Sequence, residues 1–119
     1  MTINFIFWFS LLLGGILIII GRFMLAYPPK KINWIYGYRT PASMKSQERW
    51  DFAQIVSSDA MIWVGISTCI FGMFIWFLGY EDVVSIFTIL GWNILNLIAL
   101  FFYVERRINL EFGDNEIRF

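Results

Sequence analysis

The sequence predicts an all-α integral membrane protein: three transmembrane helices, with a cytoplasmic loop and an amphipathic helix between the first two. Two observations carry this. The chain is 59% hydrophobic and 20% aromatic, with only 15% charged residues, where a soluble domain carries about a quarter of its residues as Asp, Glu, Lys and Arg. Three stretches, Thr2 to Gly21, Ala60 to Tyr80 and Val83 to Val104, contain no charge at all. At about 1.5 Å of rise per residue, roughly 20 apolar residues cross a 30 Å hydrocarbon core. The reading is a single membrane domain over residues 1–119, with spans at about 3–26, 59–80 and 83–104. A motif loop and cytoplasmic helix fill 27–58, and a tail occupies 105–119.

The first span is rich in Phe, Leu and Ile, with Ser10, Gly14 and Gly21 on one helical face. Its apolar run exceeds the roughly 7–15 residues of a signal-peptide core. It has no basic N-terminal segment and ends in GRFMLAYPP, a poor cleavage site, so a retained helix is expected. Pro28–Pro29 ends it, because proline supplies no backbone donor and disfavours helix in the residue before it.

The loop that follows holds NWIYGYRTPAS, residues 33–43, the most polar and aromatic segment of the chain. Tyr36 and Tyr38 flank Gly37, which tolerates any backbone angle. Thr40–Pro41 reads as a helix start, threonine capping and proline at the first helical position. From Ala42 to Ser58 nothing breaks a helix, although no clean apolar stripe is visible. That segment either lies in the interface as its own helix or runs into the second span; both readings stay open. Arg39, just before a capped helix N-terminus, suits an anion such as a phosphate or carboxylate. Lys30, Lys31 and Lys45 would add attraction for anionic lipid, with the tyrosines and Trp50 forming an aromatic wall. The plainer alternative pairs Arg39 with Glu48, Asp51 or Asp59 and leaves the tyrosines as interfacial anchors.

The second span places Gly65, Thr68 and Gly72 on one face, with Cys69 beside them. Small residues at this spacing let helices approach closely in lipid. The third carries Asn93 and Asn96, three apart and on one face. Asparagine in hydrocarbon is costly unless paired, so interhelical bonding is the expected role and a transport role the alternative. Tyr27, Trp34, Tyr36, Tyr38 and Trp50 suit one membrane interface, and Trp8, Trp76 and Tyr80 the other.

Charge distribution orients the bundle. The nine basic residues are Arg22, Lys30, Lys31, Arg39, Lys45, Arg49, Arg106, Arg107 and Arg118. With alternating spans all of them fall on one side, which the positive-inside rule makes cytoplasmic. The N-terminus is then outside, and the motif loop and C-terminus inside. With no histidine and one mid-span cysteine, the usual zinc sets and Cys–His or Ser–His nucleophile pairs are absent. No catalytic residue, metal or cofactor is expected.

The segment from Pro29 to Trp50, with Ile32, Asn33, Tyr36-Gly37-Tyr38-Arg39-Thr40-Pro41, Ser43, Met44, Lys45, Ser46, Glu48 and Trp50, resembles the hallmark of the SdpI family of bacterial membrane proteins. The resemblance covers about 30 residues of the loop and next helix. It implies a multi-pass protein of the bacterial inner membrane that gives immunity to a secreted toxin. It marks Asn33, Tyr36, Gly37, Tyr38, Arg39, Thr40, Ser43, Lys45 and Trp50 as motif residues. The implied function is toxin immunity or envelope protection, by binding a toxin peptide or its membrane target. The alternatives are a lipid-headgroup-binding membrane enzyme, using Glu48, Asp51 and Asp59, and a small transporter subunit. Expected partners are membrane lipids with anionic headgroups, a toxin peptide or cytoplasmic regulator, and further copies of the chain. Direct nucleic-acid binding is not expected.

Overall fold

A computed structural model describes the backbone of residues 2–113 and the side chains from residue 5 onward. Arg118 and the part of the expected tail beyond residue 113 lie outside the described residues. The chain forms three helices: α1 (Thr2–Ala26), α2 (Gln47–Leu78) and α3 (Asp82–Phe112). All three are long and apolar enough to cross a membrane, and there is no strand among the described residues.

Helix α1 packs along α2 through the small-residue faces. A side chain on Gly14 would put its Cβ 2.5 Å from Cys69 Sγ and 2.6 Å from the Gly65 carbonyl. On Gly65 it would strike the Gly14 carbonyl at 2.6 Å, and on Gly72 it would collide with Ser10. Backbones this close gain dispersion contacts that lipid chains cannot match. Thr68 departs from the expected face. It turns toward α3, where its hydroxyl donates to Asn93 Oδ1 at 3.0 Å.

The segment after the loop is not a separate interfacial helix, because α2 is continuous for 32 residues. At 1.5 Å per residue that is roughly 48 Å, against a hydrocarbon core of about 30 Å. Its first third therefore projects beyond the apolar run. It does not begin at Thr40–Pro41. Residues 41–44 form a turn that stops after one helical bond, from Met44 N–H to the Thr40 carbonyl at 3.0 Å. Ser46 takes the cap: its backbone is extended and its Oγ accepts from Arg49 N–H at 3.2 Å.

Gly79 closes α2 in the left-handed conformation, φ 79°, and a short hairpin returns the chain into α3. Two clusters hold the helices together. One, at the hairpin end, has Ile6, Ile75 and Ile89 at its centre. The other, at the loop end, gathers Ala53, Val56, Leu100, Val104 and Ile108, with Tyr38, Phe52 and Phe112 against it.

Candidate functional site

The motif loop is folded by its own side chains. Asn33 Oδ1 accepts from the Ile35 and Tyr36 amides at 2.9 and 2.7 Å, while its Nδ2 donates to the Lys31 carbonyl at 2.8 Å. This asparagine turn reverses the chain and leaves Trp34 and Ile35, 77% and 90% exposed, at its tip. The Tyr36 hydroxyl donates to the Tyr27 carbonyl at 2.8 Å, fastening the tip to the end of α1.

Gly37 has φ +111°, a conformation side chains rarely adopt. A Cβ here would also fall 2.7 Å from Gln54 Oε1 and 2.8 Å from Pro29 Cγ. The close approach serves the next contact. Gln54 of α2, 1% exposed, accepts from the Tyr38 amide at 2.7 Å and donates to the Tyr38 carbonyl at 2.9 Å. One side chain thus satisfies both backbone groups of Tyr38, as a neighbouring strand would.

The Tyr38 hydroxyl donates to Glu105 Oε2 at 2.7 Å, and the Thr40 hydroxyl donates to the same oxygen at 2.7 Å. Burial is the main cause that holds the Tyr38 phenol above its ordinary value of 10.0, with the Glu105 side chain reinforcing it. Thr40 and Ser43 bond reciprocally: Thr40 N–H to Ser43 Oγ at 2.9 Å, Ser43 N–H to Thr40 Oγ1 at 3.1 Å. Capping chemistry is present here, as the sequence suggests, but it closes a turn docked on α3. The Thr40 side chain is committed to Glu105, and a helix N-terminus does not form beside Arg39.

Trp50 is fully buried, and its Nε1 donates to the Pro29 carbonyl at 2.7 Å. It anchors the loop from beneath, so it is neither an interfacial residue nor part of an exposed aromatic wall. Arg49 is buried too, donating from Nε to the Ala42 carbonyl at 2.8 Å, with its guanidinium 5.4 Å from the Phe112 ring centre. Lys45 is exposed. Arg39 is exposed and donates to the Trp34 carbonyl, not to Glu48, Asp51 or Asp59. Those three carboxylates lie on exposed positions of α2, where Asp51 accepts from Gln47 at 2.8 Å.

The intramembrane pair separates in role. Asn93 bridges to Thr68 and donates to its own helix at Ile89 (3.0 Å). Asn96 bonds only to the Trp92 carbonyl of its own helix, at 2.8 Å, among the described residues. Gln54 and Glu105 are the residues that sequence reading missed. Each carried a faint signal: Gln54 is an amide on a face otherwise of Trp50, Ala53 and Ser57, and Glu105 is the first charge after the long apolar run of α3.

A family model described as the SdpI/YfhL protein family matches residues 30–104 of the chain. A curated Bacillus subtilis (strain 168) protein with the printed name "Uncharacterized protein YfhL" is 45% identical over 53 residues. That match covers 44% of this chain and 48% of the relative, so about half of the relative's length is represented. No solved structure matches.

Proposed function

The chain belongs to the SdpI/YfhL family, and on that premise we propose that it protects its own membrane against a toxin peptide, by binding the peptide or the peptide's membrane target through the motif loop. It is a multi-pass membrane protein by its three spanning helices. We place it in the bacterial inner membrane, with the N-terminus outside and the loop and C-terminus cytoplasmic, on the one-sided distribution of Lys and Arg.

One observation carries this reading. The loop is held by hydrogen bonds with the buried side chains of Gln54, Trp50 and Glu105, yet it leaves Trp34 and Ile35 exposed beside the Arg39 guanidinium, which donates to the Trp34 carbonyl. At a membrane interface such side chains meet lipid headgroups or a membrane-borne peptide alike, and the rigid backing holds them ready for either. Aromatic and arginine side chains on a preorganised scaffold are the usual centres of recognition energy.

The test is deletion of the gene and challenge with the producer's own secreted peptides. Survival should fall at least tenfold, return with the wild-type gene, and fail to return with a Trp34→Ala/Ile35→Ser double variant that still accumulates in the membrane. Unchanged survival of the deletion strain would remove the immunity reading.

A further inference from the structure

Where the loop meets all three helices there is a cleft of about 280 Å³, lined among others by Met24 of α1, Arg39, Ser57, Ser58 and Met61 of α2, and Leu100 of α3. Pockets for drug-sized ligands run to about 300–1,000 Å³. This one is therefore sized for a headgroup with the first part of a chain.

Its lining divides by chemistry. Ser58 is 1% exposed, and its Oγ has no hydrogen-bond partner among the described residues. Its neighbour Ser57 is satisfied by the Gln54 carbonyl at 3.3 Å. A buried hydroxyl left unbonded costs free energy that a ligand acceptor would recover. Arg39 spends one guanidinium N–H on the Trp34 carbonyl. A guanidinium has five such donors in a fork that matches carboxylate and phosphate. The lining also includes Met24, Met61 and Leu100, apolar side chains of which the two methionines adapt to chain shape. The position fits the same division. Ser57 and Ser58 stand just before the charge-free run that starts at Ala60, and Arg22 is within one turn of Met24. The cleft thus straddles the level at which hydrocarbon gives way to headgroups.

We propose that this cleft binds one anionic amphiphile. Its phosphate or carboxylate headgroup is received by Arg39 and Ser58, and the adjoining chain lies against Met24, Met61 and Leu100. This site does not depend on recognition of a toxin.

The experiment uses the full chain in nanodiscs of phosphatidylglycerol or of phosphatidylcholine, read by native mass spectrometry and thermal unfolding. One phosphatidylglycerol should stay bound and raise the Tm, while phosphatidylcholine should be lost on activation. Ser58→Ala should cut retention several-fold without lowering the Tm in phosphatidylcholine. Met61→Trp, which fills the cleft, should abolish retention, and Arg106→Ala, which removes an exposed cation outside the cleft, should leave it unchanged. Inorganic phosphate at millimolar concentration, supplying the anion without the chain, should give little of the stabilisation. Equal retention of the two lipids would overturn the proposal. So would full stabilisation by inorganic phosphate, or a loss with Arg106→Ala as large as that with Ser58→Ala.

Discussion

Gly37 concentrates the requirements of the loop in one residue. Its φ of +111° strains any other side chain, at about 1–3 kcal/mol. A Cβ would also push Gln54 Oε1 off the Tyr38 amide. Gly37→Ala should therefore lower the Tm well beyond what Gly91→Ala does, since nothing lies within 4 Å of a Cβ on Gly91. Equal shifts would mean the loop is not held as described. Tyr38 gives a second, pH-based check. Its phenol is held above the ordinary value of 10.0 by burial first and by Glu105 second. Below that value the folded and unfolded chains both keep the proton, and the stabilisation is intact. Above it the unfolded chain ionises first, so stability falls as pH rises. The Tm should drop more steeply on the alkaline side in the wild type than in Tyr38→Phe. Tyrosinate absorbance near pH 10 should rise equally in both folded proteins; a smaller rise in the variant would show that Tyr38 ionises normally.

At the scale of elements, the three spans were legible because a lipid core imposes one simple length and composition rule on every crossing helix. The start of α2 was not. Thr40-Pro41 and Ser46-Gln47 both offer capping chemistry, and local sequence does not rank them. The choice rests on Glu105, 65 positions away from Thr40, which takes the threonine hydroxyl and docks the turn on α3. The motif residues were equally visible as a pattern, but Trp50 and Tyr38 read as interfacial until Pro29, Gln54 and Glu105 supplied their partners. The asparagines show the same limit. Spacing puts both on one face, yet only Asn93 reaches Thr68 of α2. Asn93→Leu should thus cost about 0.6 kcal/mol, the average for interhelical hydrogen bonds in membranes, and at most about 1.7 kcal/mol. Asn96→Leu should be near neutral in the same detergent unfolding assay, and a larger loss there than at position 93 would reassign the interhelical tie.

For the whole molecule, the long axis of 52 Å exceeds a hydrocarbon core of about 30 Å, so part of its length must stand outside it. Two facts single out the loop end. The first third of α2 and the last turns of α3, with Glu105, Arg106 and Arg107, extend there beyond the apolar runs, and every basic residue of the described chain lies there too. The hairpin end offers only Glu81 and Asp82. Translocating the loop end would carry eight Lys and Arg side chains across the membrane against its potential; translocating the hairpin would carry none. The loop is accordingly predicted to face the cytoplasm. In a Cys69→Ala background, a cysteine placed at Tyr80 should react with an impermeant maleimide in intact cells. One placed at Lys31 should react only after the membrane is opened. Labelling of the Lys31 position in intact cells would invert the topology, and with it the compartment that Trp34, Ile35 and Arg39 face.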